Sequence, residues 1–247
     1  MSSHLATFGR QLGQGLIQLL YPAVCQVCGE SLLPEQGHFC ASCRTALTTD
    51  PHPACPRCAS TVGPHVHLDR GCTRCRDVAY HFDSAIRLGP YQGLLREQIL
   101  RLKNWSGEWL ADNLGALWAE CVESKLREGA GNIVVPVPLH WWRRLTRGYN
   151  QSEALAGSLA RKLGLPCRPR WLRRIRHTPM QTSMTPAQRR ENVRGAFSAR
   201  SRPDLRGKTV ILVDDVLTTG TTASEAARAL KTAGAATVIA AVLAHGQ

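Results

Sequence analysis

The stretch V-I-L-V-D-D-V-L-T-T-G-T-T, which begins at Val210, constrains the fold of this chain more than any other. Four consecutive apolar residues fit a strand buried on both faces, which is the condition of a strand inside a parallel sheet. Asp214 and Asp215 are then expected where that strand leaves the core. In open α/β sheets the ligand crevice lies beyond the carboxyl ends of the strands, so the two acids belong at its lip. Leu217, Thr218, Thr219, Gly220, Thr221 and Thr222 follow and run into A-S-E-A-A, which reads as the start of a helix. Such a turn suits a phosphate, because backbone N–H groups at a helix N-terminus point at an anion and threonine hydroxyls add donors. Carboxylates beside it accept hydrogen bonds from vicinal hydroxyls, so acids and loop together describe a ribose 5-phosphate.

Acids after a buried strand, then T-T-G-T-T, resemble the PRPP signature of type I phosphoribosyltransferases. That resemblance implies that Asp214 and Asp215 contact the ribose 2′- and 3′-hydroxyls and carry the catalytic role. It also implies that the segment Val216, Leu217, Thr218, Thr219, Gly220, Thr221, Thr222 binds PRPP, with the threonine turn around its 5-phosphate. Mg2+ is the expected companion, bridging pyrophosphate and the ribose hydroxyls.

Eight of the ten cysteines fall in four C-x-x-C pairs: Cys25/Cys28, Cys40/Cys43, Cys55/Cys58 and Cys72/Cys75. In a reducing compartment this is a metal pattern, since two such knuckles enclose a tetrahedral zinc. Two four-cysteine zinc sites are expected. The simplest pairing is sequential, giving two consecutive ribbons; a cross-braced pairing of the first pair with the third fits the spacing as well. His38, His52, His65 and His67 are surplus and are expected at the surface, while Cys121 and Cys167 are expected in the core.

The formal charge is +13, and its placement matters more than its size. Residues 141–206 hold sixteen Lys/Arg against three Asp/Glu, which leaves fifteen of each elsewhere. A concentrated arginine-rich charge attracts polyanions, either nucleic acid or a pyrophosphate-bearing substrate. Residues 4–20 have the apolar spacing of an amphipathic helix, but no segment is apolar for the length a membrane crossing needs, so a cytoplasmic location is expected.

The expected order is a helix over 1–24, a cysteine module over 25–80 and an α/β domain over 81–247. Within the last, strands are expected at 84–88, broken by Gly89-Pro90, and at 132–138. Helices are expected at 94–103, 108–127, 152–163 and 224–233, and a closing strand at 237–243. Residues 166–207 are basic and proline-broken, and the resemblance to type I phosphoribosyltransferases implies a lid drawn from this segment.

The stretch P-V-P-L-H-W-W-R-R-L-T-R-G-Y-N-Q-S-E-A-L-A, from Pro136, whose residues 139–151 are expected as a loop, resembles the ComF (also called GntX, or competence-type) phosphoribosyltransferase-like proteins. With the cysteine module before it and the PRPP-type loop after it, the resemblance covers nearly the whole chain. It implies a type I phosphoribosyltransferase-like parallel sheet flanked by helices, and a role in natural transformation. Arg143, Arg144 and Arg147 suit a pyrophosphate or a DNA backbone equally. Trp141 and Trp142 are candidates for base stacking. Expected partners are PRPP or a related ribose phosphate, single-stranded DNA, and DNA-uptake or recombination proteins. The alternative is a metabolic phosphoribosyltransferase with an unknown acceptor.

Overall fold

A computed structural model describes residues 23–64, 66–68, 71–139, 141–176 and 186–246. The helix expected over 4–20, His65, and the residues of the expected lid between 177 and 185 lie outside them. The chain divides into two compact units, Met1–Leu47 and Thr48–Gln247.

The first unit is organised by its cysteines. An antiparallel bridge joins Val24 and Ser31, a short 3-10 turn spans Pro34–Gln36, and helix α1 (Ala41–Thr48) begins directly after Cys40. Its apolar cluster consists of Cys25, Leu32, Cys40 and Cys43 with Val27 against them, too little to hold a fold without metal.

In the second unit an Ala54–Thr61 bridge frames the second cysteine group. The elements that follow in chain order are β1 (Ser84–Pro90), α2 (Gly93–Arg101), α3 (Glu108–Glu128), β2 (Ile133–Pro136), α4 (Trp141–Arg147), α5 (Gln151–Leu163), β3 (Leu172–Arg174), α6 (Pro186–Val193), β4 (Phe197–Ala199), β5 (Thr209–Leu217), α7 (Thr221–Thr232) and β6 (Thr237–His245). Strands β1, β6, β5 and β2 form a parallel sheet in that order, and β3 pairs antiparallel with β4. This is the α/β sheet with flanking helices that the sequence predicts. On one side Val210 and Leu212 of β5 join Ala226 and Leu230 of α7 and Val238, Ala240 and Val242 of β6 in one apolar cluster.

Several expectations need correction. Strand β1 does not stop at Gly89-Pro90, because Gly89 pairs with Ala244 and Pro90 with His245. It is an edge strand, where proline's missing donor leaves no ladder bond unmade. Strand β5 runs on through both acids to Leu217, held by the register Asp214↔Val242, Val216↔Ala244 and Leu217↔His245. Helix α7 starts at Thr221 rather than at the alanines, and β6 continues to His245. Residues 141–147, expected as loop, form helix α4. Cys121 is exposed on α3 and Cys167 half-buried, so neither is a core residue.

Candidate functional site

Because β5 is paired through Leu217, Asp214 and Asp215 sit inside the strand, as its sixth and seventh of nine residues, both half-buried. Asp214 Oδ1 accepts from the Ser152 hydroxyl at 2.9 Å and from the Asp215 amide at 3.0 Å, while Asp215 Oδ1 accepts from the Val216 amide at 2.8 Å. Lys103 Nζ lies 3.7 Å from Asp215 Oδ2. Burial, and then the charge of Asp215, raise the Asp214 carboxyl from its ordinary value to about 7; the Ser152 and Asp215 hydrogen bonds and Lys103 oppose them.

The R-G-Y-N-Q turn holds Lys103 in place. The Tyr149 hydroxyl and the Gln151 side-chain amide both donate to the carbonyl of Leu102, the latter at 3.0 Å, fixing the chain just before the lysine. Asn150 Nδ2 donates to the Val137 carbonyl at 3.2 Å, tying the same turn to the end of β2. Ser152, the next residue, begins the approach of α5 to Asp214.

Past Leu217 the chain turns sharply. Gly220 has φ +74° and is the N-cap of α7, with no side-chain cap on the helix's first amides. Thr219 and Thr221 share a hydroxyl–hydroxyl hydrogen bond of 2.7 Å, and Thr218 is exposed. Val216 is half-buried, Leu217 buried and Thr222 half-buried. Tyr80 closes the outer side: its hydroxyl donates to the Thr219 carbonyl at 3.3 Å, and a Cβ on Gly220 would stand 2.7 Å from its ring.

A cavity of about 700 Å3 adjoins the turn, lined by Thr218, Thr219 and Thr221 together with Ser60, Arg74 and Tyr80. His245, at the end of β6, lines it too and hydrogen-bonds the Ser60 hydroxyl through Nε2 at 3.1 Å. Burial, helped by Arg87 and Arg74, lowers the His245 imidazole to about 4, so it stays neutral at physiological pH.

The cysteines form two groups, Cys25/Cys28/Cys40/Cys43 and Cys55/Cys58/Cys72/Cys75, so the pairing is sequential rather than cross-braced. A tetrahedral ion with Zn–S bonds of about 2.3 Å requires sulfurs about 3.8 Å apart. The observed separations are 3.7 Å for Cys28–Cys40, 3.8 Å for Cys55–Cys75, 3.6 Å for Cys58–Cys72 and 3.7 Å for Cys72–Cys75. Both groups therefore fit zinc. His38, His52 and His67 are exposed, as expected of residues outside the ligand set.

On helix α4, Arg144 lies 3.4 Å from Glu153, and Arg147 donates to Gln151 Oε1 at 3.4 Å. Trp141, Trp142 and Arg143 are on the same helix, their side chains outside the described residues. No helix among the described residues is long and apolar enough to cross a membrane.

Residues 150–247 match the phosphoribosyl transferase domain, and residues 16–77 the double zinc ribbon domain. Competence protein F of Haemophilus influenzae is 29% identical over 214 residues, covering 85% of this chain and 91% of that protein. The DNA utilization protein YhgH of Escherichia coli K12 is 30% identical over 223 residues, covering 89% and 96%. The chain belongs to the ComF-type family. Competence protein ComFC of Bacillus subtilis, 28% identical over 211 residues and 83% of this chain, is a further relative. Among solved structures, a Bacillus subtilis glutamine PRPP amidotransferase aligns with 58% of this chain and 30% of its own at 23% identity, with a TM-score of 0.38, too distant to inform the site.

In this ComF-type chain the acid pair and the threonine turn are adjacent in sequence and stay adjacent in space. Lys103, Tyr80, Ser60 and His245 were not singled out from sequence. Only Ser152 stood next to a recognisable signal, the last position of R-G-Y-N-Q-S.

Proposed function

We propose that this ComF-type protein handles single-stranded DNA in natural transformation, in the cytoplasm, and that it binds PRPP or a related ribose phosphate at the β5–α7 junction. One observation carries the pocket: two carboxylates stand two to three residues before the end of a strand whose next turn brings an uncapped helix N-terminus and several hydroxyls together. Asp214 and Asp215 accept hydrogen bonds from the ribose 2′- and 3′-hydroxyls, and the segment from Val216 to Thr222 takes the 5-phosphate on its amides and threonines. Asp214 and Asp215 would offer Mg2+ the carboxylate oxygens it prefers, and the ion would supply positive charge against the pyrophosphate of bound PRPP. Arg143, Arg144 and Arg147 supply cations to pyrophosphate or to DNA, with Trp141 and Trp142 beside them. DNA-uptake or recombination proteins are the partners this role requires.

Support for the DNA arm comes from the segregated charge of residues 141–206 and from relatives named for competence and DNA utilization. The test is binding of single-stranded oligonucleotides across salt concentrations. Affinity that falls steeply with salt is expected, and no binding at low salt removes the DNA arm.

A second reading, a metabolic phosphoribosyltransferase, draws on the cavity of about 700 Å3 beside Thr218, which leaves room for an acceptor next to the bound ribose. Magnesium-dependent release of pyrophosphate, abolished in a folded Asp215→Asn variant, separates this reading from a binding role.

A further inference from the structure

The R-G-Y-N-Q turn borders more than the acid pair. Together with helices α3 and α5 it encloses a groove of about 530 Å3. Trp109 lines it with 76% of its surface exposed, which leaves a face of the indole open to solvent. Asn113 and Asn150 line the same groove, and Asn113 Nδ2 and Asn150 Oδ1 are shielded from solvent and have no hydrogen-bond partner among the described residues. Asn150 is only 7% exposed, and its Nδ2 is committed to the Val137 carbonyl, which leaves Oδ1 as the unmatched acceptor. A buried donor and a buried acceptor left unpaired in one groove cost free energy that a ligand with a complementary edge returns.

A flat aromatic wall with one amide donor and one amide acceptor in the same groove has the recognition chemistry of a heterocyclic base. Every nucleobase offers a π-face and an edge carrying donors and acceptors. Glu108, Asp112 and Glu153 line the groove with Arg144 and Arg161; Arg144 pairs with Glu153 and Arg161 with Asp112, and both guanidinium side chains remain more than half exposed. A second indole extends the same surface. Trp105 is 73% exposed, its Nε1 donates to the Thr146 carbonyl at 2.8 Å, and its ring lies over Gly148, where a Cβ would stand 3.5 Å away.

We propose that this groove seats a base of single-stranded DNA, its face on Trp109 and its hydrogen-bonding edge on Asn113 and Asn150. The inference rests on the DNA arm of the proposed function. It moves the stacking contact from Trp141 and Trp142 to an indole on α3.

The test is anisotropy titration of a labelled short oligothymidylate with the full, zinc-loaded chain over a range of salt. Trp109→Ala is expected to weaken binding about tenfold without changing the slope of log K against log salt, because a stacked base releases no counterion. Trp109→Phe is expected to restore most of the loss, and an unchanged melting temperature excludes misfolding. If Trp109→Ala binds as tightly as the parent, or changes only the salt slope, the base seat is wrong while the DNA reading stands. If the parent itself does not bind at low salt, the DNA reading fails and the seat with it.

Discussion

Asp214 is where burial and ligand chemistry oppose each other. Its environment favours the protonated acid, whereas a ribose site needs an acceptor. A carboxyl raised in the folded state contributes stability that is complete below its unfolded value near 3.8 and is lost as pH rises toward about 7. Urea unfolding at a series of pH values is therefore expected to show a decline across that window in the parent and a flatter profile in Asp214→Asn. The Asn Oδ1 still accepts from Ser152 and from the Asp215 amide, so the variant changes the charge more than the packing. A parent profile identical to that of Asp214→Asn would show that the carboxyl is not perturbed. At this scale the acid pair was legible because it follows an apolar run directly. Lys103 was not, because its approach to Asp215 depends on Tyr149 and Gln151 gripping the Leu102 carbonyl, a contact between segments far apart in the chain.

The decisive element is the β5–α7 junction. Gly220 is required twice, once for its left-handed φ and once because the Tyr80 ring occupies the space a Cβ needs. Gly220→Ala is expected to cost about 1–3 kcal/mol in denaturant unfolding. Adding Tyr80→Ala should recover the steric part of that cost and leave the backbone part. Full recovery in the double variant would show that the left-handed conformation carries no strain. Sequence periodicity located this junction but ended the strand too early, since aspartates are poor strand formers in isolation. Pairing with β6 overrides that preference as far as Leu217. The reverse happened at 141–147, where no apolar period marked the helix and its existence was missed.

For the whole molecule, the cysteine spacing allowed two topologies, and only the clustering of the sulfurs separates them. Metal analysis should give two zinc ions per chain. Stripping them with a chelator should expose residues 23–78 to proteolysis while the parallel sheet, whose apolar cluster is largely its own, resists. Equal resistance of both regions after both ions are lost would make the zinc dispensable for structure. Charge segregation was readable from composition, but the groove beside Trp109 was not, because it needs α3, α5 and the R-G-Y-N-Q turn brought together.

The proposed ribose-phosphate pocket is tested most directly by calorimetric titration of the full chain with PRPP in magnesium buffer. Saturable uptake of one PRPP per chain, abolished by Asp215→Asn in a protein that still folds, is the predicted result. A folded, zinc-loaded parent chain that takes up no PRPP contradicts it.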